Sequence, residues 1–462
     1  MGKINFEDTI AAVSTPVGEG GIGIVRVSGP RAVEAVEKIF RAKSGRSLKE
    51  AAPMRVIYGQ IRNGSSEAVD EALVTLFKAP HSYTSEDLVE ISCHGGIVVT
   101  RKVLELVLKQ HVRHADPGEF TRRAFLSGRI DLAQAEAVLD VIRAKTAASL
   151  AVAQDQLQGN LSREIRRLRE ELMKMYAHIE AFVDFPEEDI EVYSRDEVLT
   201  RLESVKNQIQ TLIQSYQKGE VMREGILTVI VGRPNVGKSS LLNALLDRDR
   251  AIVSEIPGTT RDALEEMIEI GGVVFRLVDT AGLGPHKDRL DQLSMDRTKK
   301  YLHQGKIFIL MFDGSESVTT EDMEIASMMR GKKVIPVINK SDLGQKWNWN
   351  KLQIAEDFPQ GLALSTKTRT GLSDLEKQLV NTVWHGKVHV EGVTVTRARH
   401  RDALEKAYQS LESAKTVFIN KESLEFLSLE IRAALDALAE LIGEVYSEDL
   451  LDVIFAEFCI GK

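Results

Sequence analysis

Gly232-Arg233-Pro234-Asn235-Val236-Gly237-Lys238-Ser239 is preceded by the apolar run Ile226 to Val231 and followed by Leu241 to Leu246. These flanks predict a strand, a glycine-bearing loop and a helix. Glycines allow backbone N–H groups to close around phosphate oxygens. Lys238 supplies a charge for the outer phosphates, and the helix N-terminus adds a partial positive charge. The loop is therefore read as an anion cradle, with Asn235, Val236, Gly237, Lys238, Ser239 and Ser240 expected against a nucleotide and Ser239 on Mg²⁺.

A phosphate loop alone does not tell ATP from GTP; residues further along do. Asp279-Thr280-Ala281-Gly282 ends the apolar run Val273 to Val278. A carboxylate there can hold Mg²⁺ through water, and a glycine amide can reach the γ-phosphate. Asn339-Lys340-Ser341-Asp342 ends the run Lys333 to Ile338. Asp342 can accept both the N1–H and the 2-amino group of guanine, and adenine offers neither donor. A buried carboxylate left unpaired by the wrong base permits discrimination of about 10⁴-fold. Ser365-Thr366-Lys367, after Leu362 to Leu364, fits a loop closing over the base. The predicted nucleotide is GTP.

The same stretch predicts a fold. Leu264 to Ile270 and Val273 to Val278 are strand-like and separated by Gly271-Gly272, a hairpin signal, while the other strands alternate with helical segments. The expectation is a P-loop GTPase domain, a doubly wound sheet with one antiparallel edge. Many GTPases place a glutamine after the Asp-x-x-Gly element to orient water, and this chain has Leu283. An aliphatic side chain cannot polarise water, so other groups must manage the nucleophile and the transition-state charge. The segment Ala251 to Asp262 is the expected switch loop, with Ser254, Glu255, Ile256, Pro257, Gly258, Thr259 and Thr260 at the nucleotide and Thr260 as second Mg²⁺ ligand.

At 462 residues and 43% hydrophobic content the chain has room for several cores, about three domains by length. Two cysteines, Cys93 and Cys459, cannot form a disulfide framework and suit a reducing cytoplasm. No apolar run reaches the ~18 residues of a membrane span, and the start lacks a secretory pattern. A net charge of −8 argues against coating nucleic acid by charge alone, so any RNA contact must be local or shared with a partner. Ten histidines show no metal-ligand spacing, and no zinc is expected.

Residues 1–120 mix strand-like runs, Ile22 to Val27 and Leu73 to Phe77, with helical ones, Arg31 to Phe40 and Val99 to Lys109. Residues 121–218 read as helical over Leu132 to Arg143, Ala147 to Phe182 and Ser194 to Tyr216. Ser194 with Glu197 forms a capping box, and Leu199, Leu202, Val205, Ile209, Leu212, Ile213 and Tyr216 form an apolar stripe. A polar segment, Gln217 to Gly225, leads into a GTPase domain over 219–384. Residues 385–462 are helical again, with Ser447 as a cap. The economical arrangement is an all-α domain made of two pieces with the GTPase domain inserted between them. Gly18-x-Gly20-x-x-Gly23 matches a dinucleotide-binding pattern, but a strand rather than a helix follows it, which rejects that reading.

Taken together, the residues resemble the bacterial tRNA modification GTPases of the MnmE (TrmE) type over essentially the whole chain. The resemblance rests on Asp8-Thr9-Ile10, Gly20 to Gly29, His94-Gly95-Gly96, Pro117 to Phe125, the GTPase elements and Phe458-Cys459-Ile460-Gly461-Lys462. It implies a K⁺-dependent GTPase in which Asn235 and the carbonyls of Ser254, Ile256 and Thr259 hold the ion against the phosphates. It also implies a carboxylate that positions water. By residue count that is Asp291, one methylene shorter than the family's glutamate; the alternative is a solvated acid starting a helix.

The N-terminal α/β domain is similar to the tetrahydrofolate site of one-carbon transfer enzymes, and by resemblance Arg26, Glu90, Arg129 and Lys462 contact the folate. A pterin offers donors to a carboxylate, and the folate's acidic tail suits arginine. Cys459 is implied as a catalytic thiol, against the alternative of a buried cysteine anchoring an apolar tail; Gly461 and Lys462 fit a prenylation box poorly. The implied assembly is a homodimer through the N-terminal domain, working with an FAD-containing partner of the GidA (MnmG) family. Methylene-tetrahydrofolate would supply carbon to C5 of the wobble uridine of tRNA, the bound folate being a 5,10-methylene or 5-formyl form. The competing readings are a ribosome-assembly or signalling GTPase switch and a folate-dependent transferase acting on a small molecule.

Overall fold

The computed structural model describes residues 7–64, 67–184, 194–248, 265–279, 299–344, 346–349, 352, 355–383 and 392–462. Two compact units are present, one of residues 1–139, 155–210 and 402–462, the other of 140–154 and 211–401.

In the first unit β1 (Ile10–Val13), β2 (Gly20–Ser28), β3 (Phe40–Ala42), β4 (Val56–Asn63), β5 (Glu67–Phe77), β6 (Leu88–Gly95) and β7 (Arg113–His114) make one sheet, ordered β3-β4-β5-β6-β2-β1-β7. Strand residues alternate between faces. Val25, Val27, Val74, Leu76, Val89 and Ile91 form one core with the buried side chains of α1 (Ala32–Ile39) and α2 (Ile97–Leu108). Arg26 and Glu90, one residue out of phase, face the other side. The glycines near the start serve close packing: a Cβ on Gly23 would fall 2.1 Å from the Thr100 methyl, and one on Gly95 would fall 2.4 Å from the Gly20 carbonyl. The strand expected after them begins at Gly20.

Helices follow: α3 (Glu119–Leu126), α4 (Leu132–Arg143), α5 (Ala147–Leu157), α6 (Asn160–Asp184) and α7 (Arg195–Glu224). The single stretch expected from Ala147 to Phe182 is two helices, divided at Gly159 with φ +79°, a left-handed conformation that favours glycine. The Ser194–Glu197 capping box is present, the Glu197 amide donating to Ser194 Oγ and the Ser194 amide to Glu197 Oε2. Val198, Leu202, Val205, Ile209, Leu212 and Tyr216 are the buried stripe, Val198 taking the place expected for Leu199.

The linker expected over Gln217 to Gly225 is corrected: α7 runs through Glu224 and ends at Gly225, φ +72°. Tertiary contacts explain the extension. Met222 is buried beside Val152, Gly219 is pressed so close to the Val395 carbonyl that a Cβ would sit 2.1 Å away, and Tyr216 donates to Glu220 one turn on.

The second unit holds β8 (Ile226–Val231), β9 (Glu265–Ile270), β10 (Val273–Asp279), β11 (Ile307–Asp313), β12 (Val334–Asn339) and β13 (Leu362–Ala363), ordered β13-β12-β11-β8-β10-β9. Every pairing is parallel except β9 with β10 at the edge. The hairpin between those two turns at Gly271 and Gly272, φ +60° and +84°, the two positive angles a type I′ turn needs. The central strands β8, β11 and β12 are buried along their whole length, as strands covered on both faces must be. Separate apolar clusters lie on the two faces, one including α8 (Lys238–Arg248) and α10 (Leu372–Val383), the other α9 (Thr320–Met328). This is the doubly wound sheet with one antiparallel edge.

After it come α11 (Ala398–Ile419), α12 (Leu424–Ile442) and α13 (Glu448–Ala456). In the first unit α12 packs along α6, and the Ser447 hydroxyl caps α13 by accepting from the Leu450 amide. No helix among the described residues is long and apolar enough to cross a membrane. The chain is thus a multidomain α/β plus all-α protein in which the P-loop domain interrupts the helical part in sequence.

Candidate functional site

In the second unit the loop between β8 and α8 turns through Gly232, Asn235 and Gly237, φ +154°, +64° and +102°. This places Lys238 at the first helical position, its ammonium donating to the carbonyls of Gly232 at 2.7 Å and Arg233 at 2.9 Å. Burial pushes the Lys238 amine below the usual lysine range, partly countered by Asp279 and Glu321. The Ser239 hydroxyl donates to Asp279. A hydroxyl and a carboxylate are hard oxygen donors, the set that suits Mg²⁺.

Asn339, at the end of β12, joins the loops. Its amide nitrogen donates to the Val236 carbonyl at 2.8 Å and its amide oxygen accepts from the Thr366 amide at 3.1 Å. Three segments separate in sequence, 232–240, 339–342 and 365–367, therefore meet at the C-terminal ends of the parallel strands, where open α/β sheets bind ligands. Asp342, expected as a buried carboxylate, is instead exposed, and the Ser365 hydroxyl, donating at 2.7 Å, holds its carboxyl below the ordinary aspartate range. An ionised carboxylate open to solvent at this rim can accept paired N–H donors from a base.

Of the residues expected here, Asn235, Val236, Gly237, Lys238, Ser239, Ser240, Asp279, Asn339, Lys340, Asp342, Ser365, Thr366 and Lys367 are described. Ser254, Glu255, Ile256, Pro257, Gly258, Thr259, Thr260, Thr280, Ala281, Gly282, Leu283 and Asp291 lie outside the described residues. Asp313, absent from any motif, joins the site through Lys340, whose ammonium lies 2.5 Å from it.

A second site forms on the first unit. Arg26 and Glu90 are register partners on β2 and β6, and the guanidinium donates to Glu90 Oε1 through Nε and Nη2. The Arg26 guanidinium also lies over the rings of Tyr83 and Phe120, at 5.3 and 5.6 Å from their centres, and Arg129 lies over the same Tyr83 ring at 4.8 Å. Tyr83 shares a hydrogen bond with Thr121, and burial raises its phenol.

The end of the chain is bound in here. The Gly461 carbonyl accepts from Arg26 Nη1 and Ser14 Oγ, and the Lys462 carbonyl accepts from the Phe120 amide. Burial lowers the Lys462 amine, Arg26 lowers it further, and Glu90 partly opposes both. Phe455 and Phe458 are the buried anchors of this tail, whereas Cys459 is exposed, so the alternative of a buried cysteine does not hold. All four residues expected against a folate thus gather at one place. Tyr83 was not predicted by any spacing, because aromatic stacking leaves no periodic signal; Phe120 and Thr121 lie inside the Pro117 to Phe125 stretch already singled out.

A family model described as the MnmE helical domain matches residues 132–459, and one described as the GTP-binding protein TrmE N-terminus matches residues 9–129. The chain is similar to the tRNA modification GTPase MnmE of Alkaliphilus metalliredigens (strain QYMF), 43% identical over 459 residues, which are 99% of this chain and 100% of that one. It is similar also to the protein of the same description from Heliobacterium modesticaldum (strain ATCC 51547 / Ice1), 45% identical over 463 residues, 98% and 99% of the two chains. Among solved structures, the G domain of the T. maritima FeoB iron transporter is 25% identical and covers 34% of this chain and 99% of its own, with a TM-score of 0.27.

Proposed function

This chain belongs to the MnmE (TrmE) family, and on that premise we propose that it binds and hydrolyses GTP while modifying C5 of the wobble uridine of tRNA. The observation that carries the reading is Asn339, which ties the phosphate loop at Val236 to the Thr366 loop and lies in the segment whose Asp342 would read guanine. Lys238 would leave its two carbonyls for phosphate oxygens, and the loop amides would close around them. Ser239 and Thr260 would hold Mg²⁺, while Asn235 and the carbonyls of Ser254, Ile256 and Thr259 would hold K⁺. Asp291 would orient the attacking water, since Leu283 cannot.

Arg26, Glu90, Arg129 and Lys462 would bind a methylene- or formyl-tetrahydrofolate. Their chemistry fits: a carboxylate for pterin N–H groups and cations for an acidic tail. Bound K⁺ and Mg²⁺ would supply positive charge against the triphosphate, and the folate would supply the one-carbon unit. Cys459, exposed on a tail whose neighbours are pinned, would meet the uridine.

The domain reading assigns residues 1–120 to folate binding and dimerisation, 121–218 and 385–462 to the helical domain, and 219–384 to GTP. Support for a homodimer comes from the sheet face opposite α1 and α2, where Val56, Tyr58 and Leu73 are exposed. A flavoprotein partner of the GidA (MnmG) type would complete a cytoplasmic enzyme. GTP turnover at matched ionic strength in KCl and in NaCl tests the cation, with faster turnover expected in KCl. Mass spectrometry of tRNA nucleosides from cells lacking the gene tests the substrate; unchanged wobble uridines would refute it.

A further inference from the structure

We propose that Asp313 is a positioning residue for guanine-nucleotide binding, acting through Lys340. The inference rests on the GTP-binding reading of the second unit and deepens it. Asp313 ends β11 and stands opposite Asn339 of β12 in the register, next to the strand position that Lys340 follows. Asp313 is 3% exposed, while its partner Lys340 keeps 31% of its side chain accessible. Its Oδ2 accepts from Lys340 Nζ at 2.5 Å, and its Oδ1 accepts from the Ser315 amide at 2.9 Å and the Ser315 hydroxyl at 2.6 Å. Both oxygens are thereby held, and the carboxylate offers a fixed anchor rather than a swinging one. Burial alone would raise its proton affinity, but the Lys340 and Ser315 donors outweigh that and keep it ionised.

Lys340 needs an anchor. Its backbone sits at φ +63°, a left-handed conformation disfavoured for a side chain of its size. It stands between Asn339, which grips the phosphate loop and the Thr366 loop, and the base-reading Asp342. With its ammonium on Asp313, Lys340 joins the end of β11 to the segment that follows β12 and carries Asp342. The neighbouring backbone is built for the same closeness: the Gly314 amide donates to the Asn339 carbonyl at 2.7 Å, and a Cβ on Gly314 would fall 2.7 Å from that oxygen. A purely structural ion pair predicts lost stability and no link to nucleotide; a positioning pair predicts coupled losses of affinity.

A double-mutant cycle on the full-length protein separates the two, using Asp313→Asn, Lys340→Ala and the double variant, titrated with a fluorescent GDP analogue. D313N is expected to weaken GDP and GTP about tenfold, the usual scale for one charge-assisted hydrogen bond. Turnover at saturating GTP should stay within about twofold, and D313N placed on the K340A background should add less than about twofold. Unchanged affinity in folded D313N, or the same tenfold loss in both backgrounds, overturns the proposal. Should D313N fail to fold, Ser315→Ala serves: a weakening of about two- to fourfold supports the proposal and unchanged affinity refutes it. Wild-type protein that binds no guanine nucleotide would instead defeat the GTP reading itself.

Discussion

Arg26 and Glu90 face each other across β2 and β6, and the guanidinium closes on a single carboxylate oxygen, Oε1, at 3.0 Å from Nε and 2.8 Å from Nη2. The pair has side chains only 13% and 25% exposed, so its charges act in a medium where hydrogen bonds to ions count for more than at the surface. Glu90→Gln keeps the shape and removes the charge. Affinity for 5-formyl-tetrahydrofolate, read by calorimetric titration of the full-length protein, is expected to fall about tenfold or more, by about 1.5–3 kcal/mol, with GTP turnover unaltered. Equal affinity would exclude Glu90 from the proposed folate site.

Gly461 holds φ +97°, and a Cβ there would lie 2.2 Å from the Val13 carbonyl. Gly461→Ala must displace the tail and with it Lys462, at a cost of about 1–3 kcal/mol of strain. Folate binding and tRNA modification should weaken while GTP binding persists. Cys459→Ser is the paired control: the thiol is exposed, so melting should shift by no more than about 0.5 kcal/mol of stability, and loss of modified uridine would then report chemistry rather than packing.

Gly237 lies at φ +102°, and a Cβ on it would come within 2.3 Å of Asn339 Nδ2. Gly237→Ala therefore breaks the Asn339 to Val236 link and strains the phosphate loop together. Nucleotide affinity should drop by roughly 100-fold, from about 1–3 kcal/mol of strain plus one lost hydrogen bond. Equilibrium titration with a fluorescent GDP analogue measures it, and a near-wild-type value would contradict the role given to Asn339.

Arg123, fully buried, donates to Asp8, Glu86 and Glu119, and Arg113 donates to Asp8 and Glu119. Burial alone would raise Glu119 and Asp8, but the arginine hydrogen bonds and charges outweigh it and lower both, from ordinary values of 4.5 and 3.8. Carboxyls lowered in the folded state bind fewer protons there than in the unfolded chain. Their stabilisation is whole above the ordinary values and is lost as pH falls through the lowered ones. Arg123→Met, which breaks the buried pair with Glu119 and takes a partner from Asp8 and Glu86, should cost about 3–5 kcal/mol near pH 7. The gap to wild type should narrow in urea melts carried down to roughly pH 3, where these carboxyls are protonated. A gap independent of pH would refute the electrostatic account.

The elements of the candidate GTP site are legible in the sequence because their signals are local. Gly232 to Ser239, Asn339 to Asp342 and Ser365 to Lys367 each sit at a strand end, and a strand end is marked by where an apolar run stops. The Gly271-Gly272 hairpin was equally plain, since two positive φ angles in succession favour glycine. The end of α7 was not. Gln217 to Glu224 reads as a polar linker until Val152 and Val395, far off in sequence, are set against Met222 and Gly219.

What the order of residues determined by itself was the type of most elements and the position of the candidate nucleotide cradle, because periodicity, turn chemistry and glycine-rich loops act over a few neighbouring residues. Only the tertiary structure decided that Tyr83 lies under both Arg26 and Arg129, that residues 459–462 return to β1 and β2, and that Asp313 grips Lys340. Those contacts join positions from 27 to 447 residues apart. They are set by strand register and core packing, which no local pattern encodes.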